Sequence, residues 1–484
     1  MNNQVLVVDV GTSSVRAAVV RDDRAFAADV SQELLPDSPG DGLVQFDARH
    51  LADVCLELAT VALDTAGAVD GVGISNQRGS TIMWDRTTGE PVGPGLGWQD
   101  LRTVGECLAL RAQGIRVGPT QSATKVQWLL EHLDDRGRAP ELCFGTVDSW
   151  VAWTLSSGAI HVTDATNAAV TGLVDRADHA VWDMHALEVC GIPAAVMPEI
   201  VDSSAVIGTA TALAGAPPIA ALIGDQQASL VGQGCVRVGD AKITFGTGGM
   251  LDLVLGDEPP SFDARGKAGT FPIVAWRRGG KYAWGIEAIM LAAGTNVKWL
   301  RDDLGLISSS AESHEVAAAC ADTGGVMYVP ALLGLGTPEW DYGARGAYFG
   351  ITRGTGRAEM VRAVLEGIAH SGADLVDAAE SDAGISIDTL RVDGGMTENP
   401  TFVQALADAS QRPVEISPVR EATTLGAALM AGLAVGHHAD VEDLAATWSP
   451  TGRVEPRRTL DRERWRDAVS RARAWIPELS DIDF

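Results

Sequence analysis

The sequence predicts an α/β protein with mixed sheets, built as two similar halves. Strand-like and helix-like apolar patterns alternate along the chain, one strand–turn–strand text occurs twice, and 484 residues exceed what a single core usually serves. The first copy of the repeated text runs from Val5 to Val20: an apolar run ending at Asp9-Val10, a small polar turn at Gly11 to Ser14, and a second β-branched run. The second copy runs from Ala241 to Leu255, where Gly246-Thr247 stands for Gly11-Thr12 and the flanking runs match in length. The two turns lie 235 positions apart, close to half the chain, so each half is expected to open with the same hairpin. This places one domain at residues 1–234 and the other at 235–484, with the boundary near Gly234.

Around the hairpins, apolar residues at three- and four-residue spacing predict helices over Leu51–Ala66, Thr124–Leu133, Glu359–Glu380, Pro400–Gln411 and Arg462–Ala474. Short apolar runs predict strands at Gly71–Asn76, Ile219–Ile223, Val326–Val329 and Leu390–Val392. Glycine and proline are spread between these elements, and no low-complexity segment stands out.

Lys and Arg number 37 and Asp and Glu 64, giving a formal charge of −27. This excess of acid argues against nucleic-acid binding or an anionic membrane surface as the main task, because both need an exposed cationic face. A phosphate ligand would have to be held locally. The six cysteines stand singly, with no CxxC and no histidine at metal spacing, which points to free buried thiols and not to a zinc site or disulfide framework. The most apolar long stretch, Leu425–Val435, is broken by Gly426 and Gly432 and is far shorter than the ~18 residues that cross a bilayer. The N-terminal run resembles a strand and carries no basic residue, so the chain is expected to be soluble and cytoplasmic.

Three turns rich in Gly, Thr, Ser and Asp follow buried strands: Asp9 to Ser14, Phe245 to Gly249, and Val392 to Asn399. Glycine lets main chain approach an anion, and successive amides with hydroxyls can ring phosphate oxygens without Lys or Arg. Any one of them also reads as an ordinary strand-ending turn, but three together favour a split nucleotide site. Neither GxxxxGK[ST] nor GxGxxG occurs, which disfavours a P-loop enzyme and a dinucleotide oxidoreductase. Asp9 ends a strand beside the first turn, where a carboxylate can hold Mg²⁺ through water. Asp225 follows another apolar strand and could accept the proton of an attacking hydroxyl, although aspartate there also caps helices.

Nine segments carry a resemblance to a known family. They are Asp9 to Arg16, Ile74-Ser-Asn-Gln-Arg-Gly-Ser-Thr81, Trp98-Gln-Asp-Leu-Arg102, Gly145-Thr-Val-Asp-Ser-Trp150, His161-Val-Thr-Asp164, Gly224-Asp-Gln-Gln227, Val329 to Gly336, Ala344-Arg-Gly346 and Leu390 to Gly395. In order and over nearly the whole chain they resemble the FGGY carbohydrate kinases, with motifs most like those of glycerol kinases. A second family signature runs from Gly346 through Gly350, Glu359 and Ala363 to Glu366. The resemblance implies an actin-like ATPase fold of two ribonuclease-H-like domains around a central cleft. It implies an ATP- and Mg²⁺-dependent kinase of a small polyol or sugar, assembled as a homodimer or homotetramer. By the same resemblance, the N-terminal domain holds acceptor and base, and the C-terminal domain binds nucleotide.

Carried over by residue, the resemblance makes Asp225 the general base and puts Asp9 and Asp225 at the metal. Thr12, Ser13, Ser14 and Arg16 resemble the first phosphate site and Thr247 the second, with Gly294, Lys298, Gly395 and Asn399 around the nucleotide. Arg78, Trp98 and Gln226 match positions around the acceptor alcohol. Three positions depart from the glycerol-kinase pattern: Gly79 replaces a glutamate, Thr120 a tyrosine and Leu291 a phenylalanine. Loss of the glutamate removes a charged hydrogen-bond partner and is expected to leave empty volume, so the acceptor is expected to be a four- or five-carbon polyol or ketose larger than glycerol. Two other readings stay open: a divergent true glycerol kinase, and a non-catalytic ATP-binding regulatory protein on the same fold.

Overall fold

The computed structural model describes residues 3–132, 140–446 and 448–481. Val5, Leu6, Val7 and Val8 are all buried, so the first strand is covered on both faces, as the centre of a mixed α/β sheet requires. That strand, β1 (Gln4–Val10), belongs to a six-stranded sheet with β2 (Ser14–Arg21), β3 (Phe26–Glu33), β4 (Gly71–Asn76), β5 (Ser204–Thr209) and β6 (Pro218–Gly224), in the order β5-β6-β4-β1-β2-β3. The second sheet has seven strands: β7 (Ala241–Phe245), β8 (Gly249–Gly256), β9 (Phe271–Arg278), β10 (Lys281–Met290), β11 (Leu390–Asp393), β12 (Val414–Ile416) and β13 (Gly452–Val454). Their order is β9-β10-β8-β7-β11-β12-β13.

The repeated text forms two equivalent hairpins. β1 and β2 pair antiparallel with Val5 opposite Val20 and Val10 opposite Val15, and β7 and β8 pair likewise with Ala241 opposite Leu253 and Phe245 opposite Gly249. In each sheet the first strand of the hairpin has a parallel neighbour, β4 beside β1 and β11 beside β7. The two halves are therefore similar in topology as well as in text, an α/β fold with two mixed sheets.

Helix α1 (Ala48–Ala66) covers one face of the first sheet through Leu51, Cys55, Leu58 and Ala62, and Asp47 caps it by accepting from the amides of Arg49 and His50. Short helices α2 (Asp225–Gly232) and α3 (Gly294–Asp302) follow β6 and β10. The second sheet is covered by α4 (Arg357–Ala383) and α5 (Pro400–Ser410), with Ile368, Phe402 and Leu406 packed on Ile243, Phe245 and Leu251. The helices expected at Thr124–Leu133 and Arg462–Ala474 are found at Ala123–His132 and Arg462–Ala472, Leu133 lying outside the described residues.

The apolar stretch Leu425–Val435 forms most of α6 (Ala422–Val435), and this helix crosses to the other half. Leu425, Met430 and Leu433 pack with Val5, Val7 and Ile223 of the first sheet. There α6 passes α2 at backbone contact: a Cβ on Gly232 would collide with the Ala422 carbonyl oxygen, and one on Gly426 with that of Ala228. Glycine at both positions is what lets the two helices join the halves so closely. Among the described residues, no helix is long and apolar enough to cross a membrane, and the six cysteines are free.

Candidate active site

Parallel pairing brings the site together. Asp9 on β1 lies opposite Ser75 on β4, and Ile223 on β6 also pairs with Ser75, so Asp9 and the segment leading to Asp225 end at the same edge of the sheet. Gly224 is the N-cap of α2 and Asp225 its first residue, which turns the carboxylate into the cleft beyond the strand ends. The amide of Gly224 donates to the Thr166 hydroxyl at 2.8 Å, which pins the chain where it leaves β6.

The Asp9 carboxylate accepts from the hydroxyls of Ser75 at 2.9 Å and Thr424 at 2.8 Å, the latter from α6. Burial raises its pKa above the usual carboxylate value, against these hydrogen bonds and the Arg16 charge. Asp225 is also raised by burial, against the pull of Arg78, whose Nε stands 3.6 Å from Oδ1. Two carboxylates with free lone pairs beside phosphate-sized turns form a donor set that suits Mg²⁺.

The turns present main chain to open space. A Cβ at Gly246 or Gly395 would meet nothing within 4 Å, and Ser13, Ser14 and Thr247 are exposed. The second turn is braced from behind by α3: the amides of Ala293 and Gly294 donate to the carbonyls of Thr247 at 2.8 Å and Gly246 at 2.9 Å. Gly294 is thus a packing residue for the turn, since a Cβ there would come within 2.6 Å of the Gly246 oxygen. Gly394, at φ 87°, begins the third turn against the Phe245 main chain. Lys298 is exposed on α3. These open glycine turns are suited to the phosphates of a nucleotide.

Two residues expected at the nucleotide are engaged elsewhere. Arg16 pairs with Asp29 at 2.6 Å and Glu421 at 2.9 Å, because its place on β2 directs it to the neighbouring strand and to the entry of α6. Asn399 caps α5: its Oδ1 accepts from the Phe402 amide at 3.1 Å, and its Nδ2 donates to the Ser313 hydroxyl at 2.9 Å.

Of the residues expected around the acceptor, Arg78 meets Asp225, Gln226 accepts from Lys242, and Trp98 donates its indole N–H to Thr12 of the first turn at 3.1 Å. The empty volume expected at Gly79 is absent. Gly79 has φ 74° and a Cβ there would collide with the Thr120 carbonyl oxygen, so main chain fills the space. That loop is held by Lys125, buried beneath it, whose ammonium donates to the carbonyls of Pro119 at 2.6 Å and Gln121 at 3.2 Å. Leu291 follows the last residue of β10, with its main chain against Gly248 of the second turn and its side chain near Gly336.

The residue motifs missed a charged cluster on the second sheet. Arg78 donates to Glu287 on β10 at 2.5 Å, and Glu287 lies opposite Asp252 on β8. Lys242 on β7, fully buried, pairs with Asp252 at 2.8 Å and donates to Gln226 at 2.9 Å and Thr244 at 3.0 Å. Burial lifts Asp252 to about 6 despite Lys242. The signal for this cluster was in the sequence: Lys242, Asp252 and Glu287 are charges inside apolar strands, which a plain core would not hold.

Open glycine turns from both halves, with the Asp9 and Asp225 carboxylates at one sheet edge, suit a phosphotransferase. The N-terminal domain of the FGGY family of carbohydrate kinases matches residues 4–232 and its C-terminal domain residues 241–435. A glycerol kinase of Aromatoleum aromaticum is 42% identical over 98% of this chain and 99% of its own. The crystal structure of Plasmodium falciparum glycerol kinase with ADP superposes with a TM-score of 0.88 at 27% identity, covering 100% of this chain and 99% of that one. A xylulose kinase from Brucella ovis shares the fold, with a TM-score of 0.85 at 23% identity over 99% and 100% of the chains. The chain belongs to the FGGY family of carbohydrate kinases, and it is an ATP-dependent kinase of the carbohydrate and polyol class.

Proposed function

We propose that this kinase transfers the γ-phosphoryl group of ATP to a primary hydroxyl of a short polyol or ketose. The observation that supports it most is the placing of Asp9 and Asp225 at the same end of the two strands that flank β4, with Arg78 beside Asp225. Asp225 takes the proton of the acceptor hydroxyl as its oxygen attacks the γ-phosphorus and ADP leaves. Asp9 and Asp225 would hold Mg²⁺, which when bound neutralises charge on the phosphate oxygens. The turns at Thr12 to Ser14, Gly246-Thr247 and Gly395 orient the phosphates, while Trp98, Arg78 and Gln226 orient the alcohol. We place the enzyme in the cytoplasm and read it as a homodimer or homotetramer.

The acceptor has three to five carbons. With the space at Gly79 filled by Thr120, the preference for four or five carbons over glycerol rests on Thr120 and Leu291 alone, and the identity to glycerol kinases weighs for glycerol. A coupled ADP-release screen across C3 to C6 polyols and ketoses tests the reading. Acceptor-dependent ADP release is expected; ATP hydrolysis indifferent to every acceptor would contradict it and favour the regulatory reading.

A further inference from the structure

Arg78 stands between carboxylates from opposite sides of the cleft. Asp225 approaches its Nε at 3.6 Å from the first half, and Glu287 takes its Nη2 at 2.5 Å from the second. Its remaining nitrogen, Nη1, is buried and has no hydrogen-bond partner among the described residues. Burial alone would lower the pKa of the guanidinium, but Glu287 and Asp225 outweigh it and hold the group above its usual value. The other cation of the cluster, Lys242, is already engaged by Asp252, Gln226 and Thr244. The wall beyond the catalytic carboxylate therefore carries Asp225, Asp252 and Glu287 against two cations that are both paired.

Such a wall discriminates by charge. A hydroxyl can accept from Arg78 Nη1 and donate to a carboxylate, and both partners remain satisfied. An acceptor bearing a carboxylate would need the Arg78 fork for itself, and Glu287 occupies half of that fork while repelling the newcomer. The unpartnered Nη1 belongs to the same guanidinium that faces Asp225, which leaves Arg78 one donor free for an acceptor hydroxyl.

We propose that Glu287 sets the charge selectivity of the acceptor site, holding Arg78 from across the cleft so that uncharged polyhydroxy acceptors enter and sugar acids are rejected. This rests on the polyol-kinase reading above. Glu287 acts as a positioning residue through Arg78, and it removes the need for an acidic side chain at position 79.

The test pairs each uncharged acceptor with its acid: glycerol with glycerate, and a C5 alditol with its aldonate. kcat/KM is measured for the wild type, Glu287→Gln and Glu287→Asp, with thermal melting of each. The wild type should favour the uncharged member at least a hundredfold, Glu287→Gln should narrow that ratio at least tenfold, and Glu287→Asp should retain most of it. A structural role would lower activity on both members together. An unchanged ratio in folded Glu287→Gln overturns the proposal. Should that variant not fold, wild-type discrimination below tenfold overturns it and discrimination above a hundredfold that Glu287→Asp retains upholds it. Absence of ADP release with every acceptor would instead overturn the kinase reading on which it stands.

Discussion

The indole N–H of Trp98 donates to the hydroxyl of Thr12 across 3.1 Å, tying the tryptophan we propose beside the acceptor to the first glycine turn. The equivalent threonine of the second hairpin, Thr247, has no such tie: its carbonyl is held by α3 and its side chain is exposed. The two positions are therefore alike in the repeat and unlike in what they touch.

Thr12→Val should weaken ADP binding and also raise the acceptor KM, because Trp98 loses its anchor. Thr247→Val should weaken ADP binding alone. Loss of one hydrogen bond in each site predicts about 3- to 10-fold in affinity. Titration calorimetry with ADP and Mg²⁺, alongside acceptor kinetics, separates the two. Unchanged ADP affinity in both variants would remove the split-site account.

Gly79→Glu should not turn this enzyme toward glycerol. The φ of 74° and the Thr120 carbonyl leave no room for a side chain, so the substitution should destabilise the fold by roughly 1–3 kcal/mol and displace the 119–121 loop. Melting and the kcat/KM ratio of glycerol to larger polyols measure both effects. A variant as stable as the wild type with improved glycerol turnover would show that the loop yields freely.

Gly426→Ala should cost about 1–3 kcal/mol or more, since its methyl group would meet the Ala228 carbonyl where α6 crosses α2. Both helices join the halves, so cleft closure should suffer with stability. Denaturant unfolding and kcat together register this, and a neutral substitution would mean that the helices separate without penalty.

His161 is half-buried, its ring edge-on to Trp84 and Trp153, and bonds the Phe144 carbonyl through Nε2 at 2.7 Å. Burial, with Arg86 nearby, lowers its pKa to about 4 from an unfolded value near 6.5. Between those values the unfolded chain binds the proton that the folded chain refuses. The histidine's contribution is therefore intact above pH 6.5 and is lost as pH falls toward 4, at most about 1.4 kcal/mol per pH unit. Wild type and His161→Gln should thus converge in stability from pH 7 to pH 5 when measured by urea unfolding. A constant difference would mean that His161 is not held neutral.

What the sequence disclosed was what lies close together along the chain. The hairpins at Gly11 and Gly246 were legible because strand, turn and strand are contiguous, and the position of Asp225 at a strand end because β6 precedes it directly. The contacts of Arg16 with Glu421 and of Asn399 with Ser313 were not legible, because these partners come from distant segments that local text cannot supply. Glu287 and Asp252 stood out locally as charges inside apolar strands, but their pairing did not: the β8–β10 register sets them opposite one another, and only folding brings Arg78 to Glu287. The closure of the Gly79 space depends on a loop 41 residues later in the chain, held by a buried lysine.

The central claim is that Asp225 removes the proton of an acceptor hydroxyl during phosphoryl transfer from ATP. Acceptor-dependent ADP release by Asp225→Asn is the decisive measurement, because the change is nearly isosteric and puts an amide, which cannot take the proton, where the carboxylate stood. A loss of about 10²- to 10⁴-fold in kcat is expected, with ADP affinity and melting temperature preserved. Turnover near that of the wild type would contradict it.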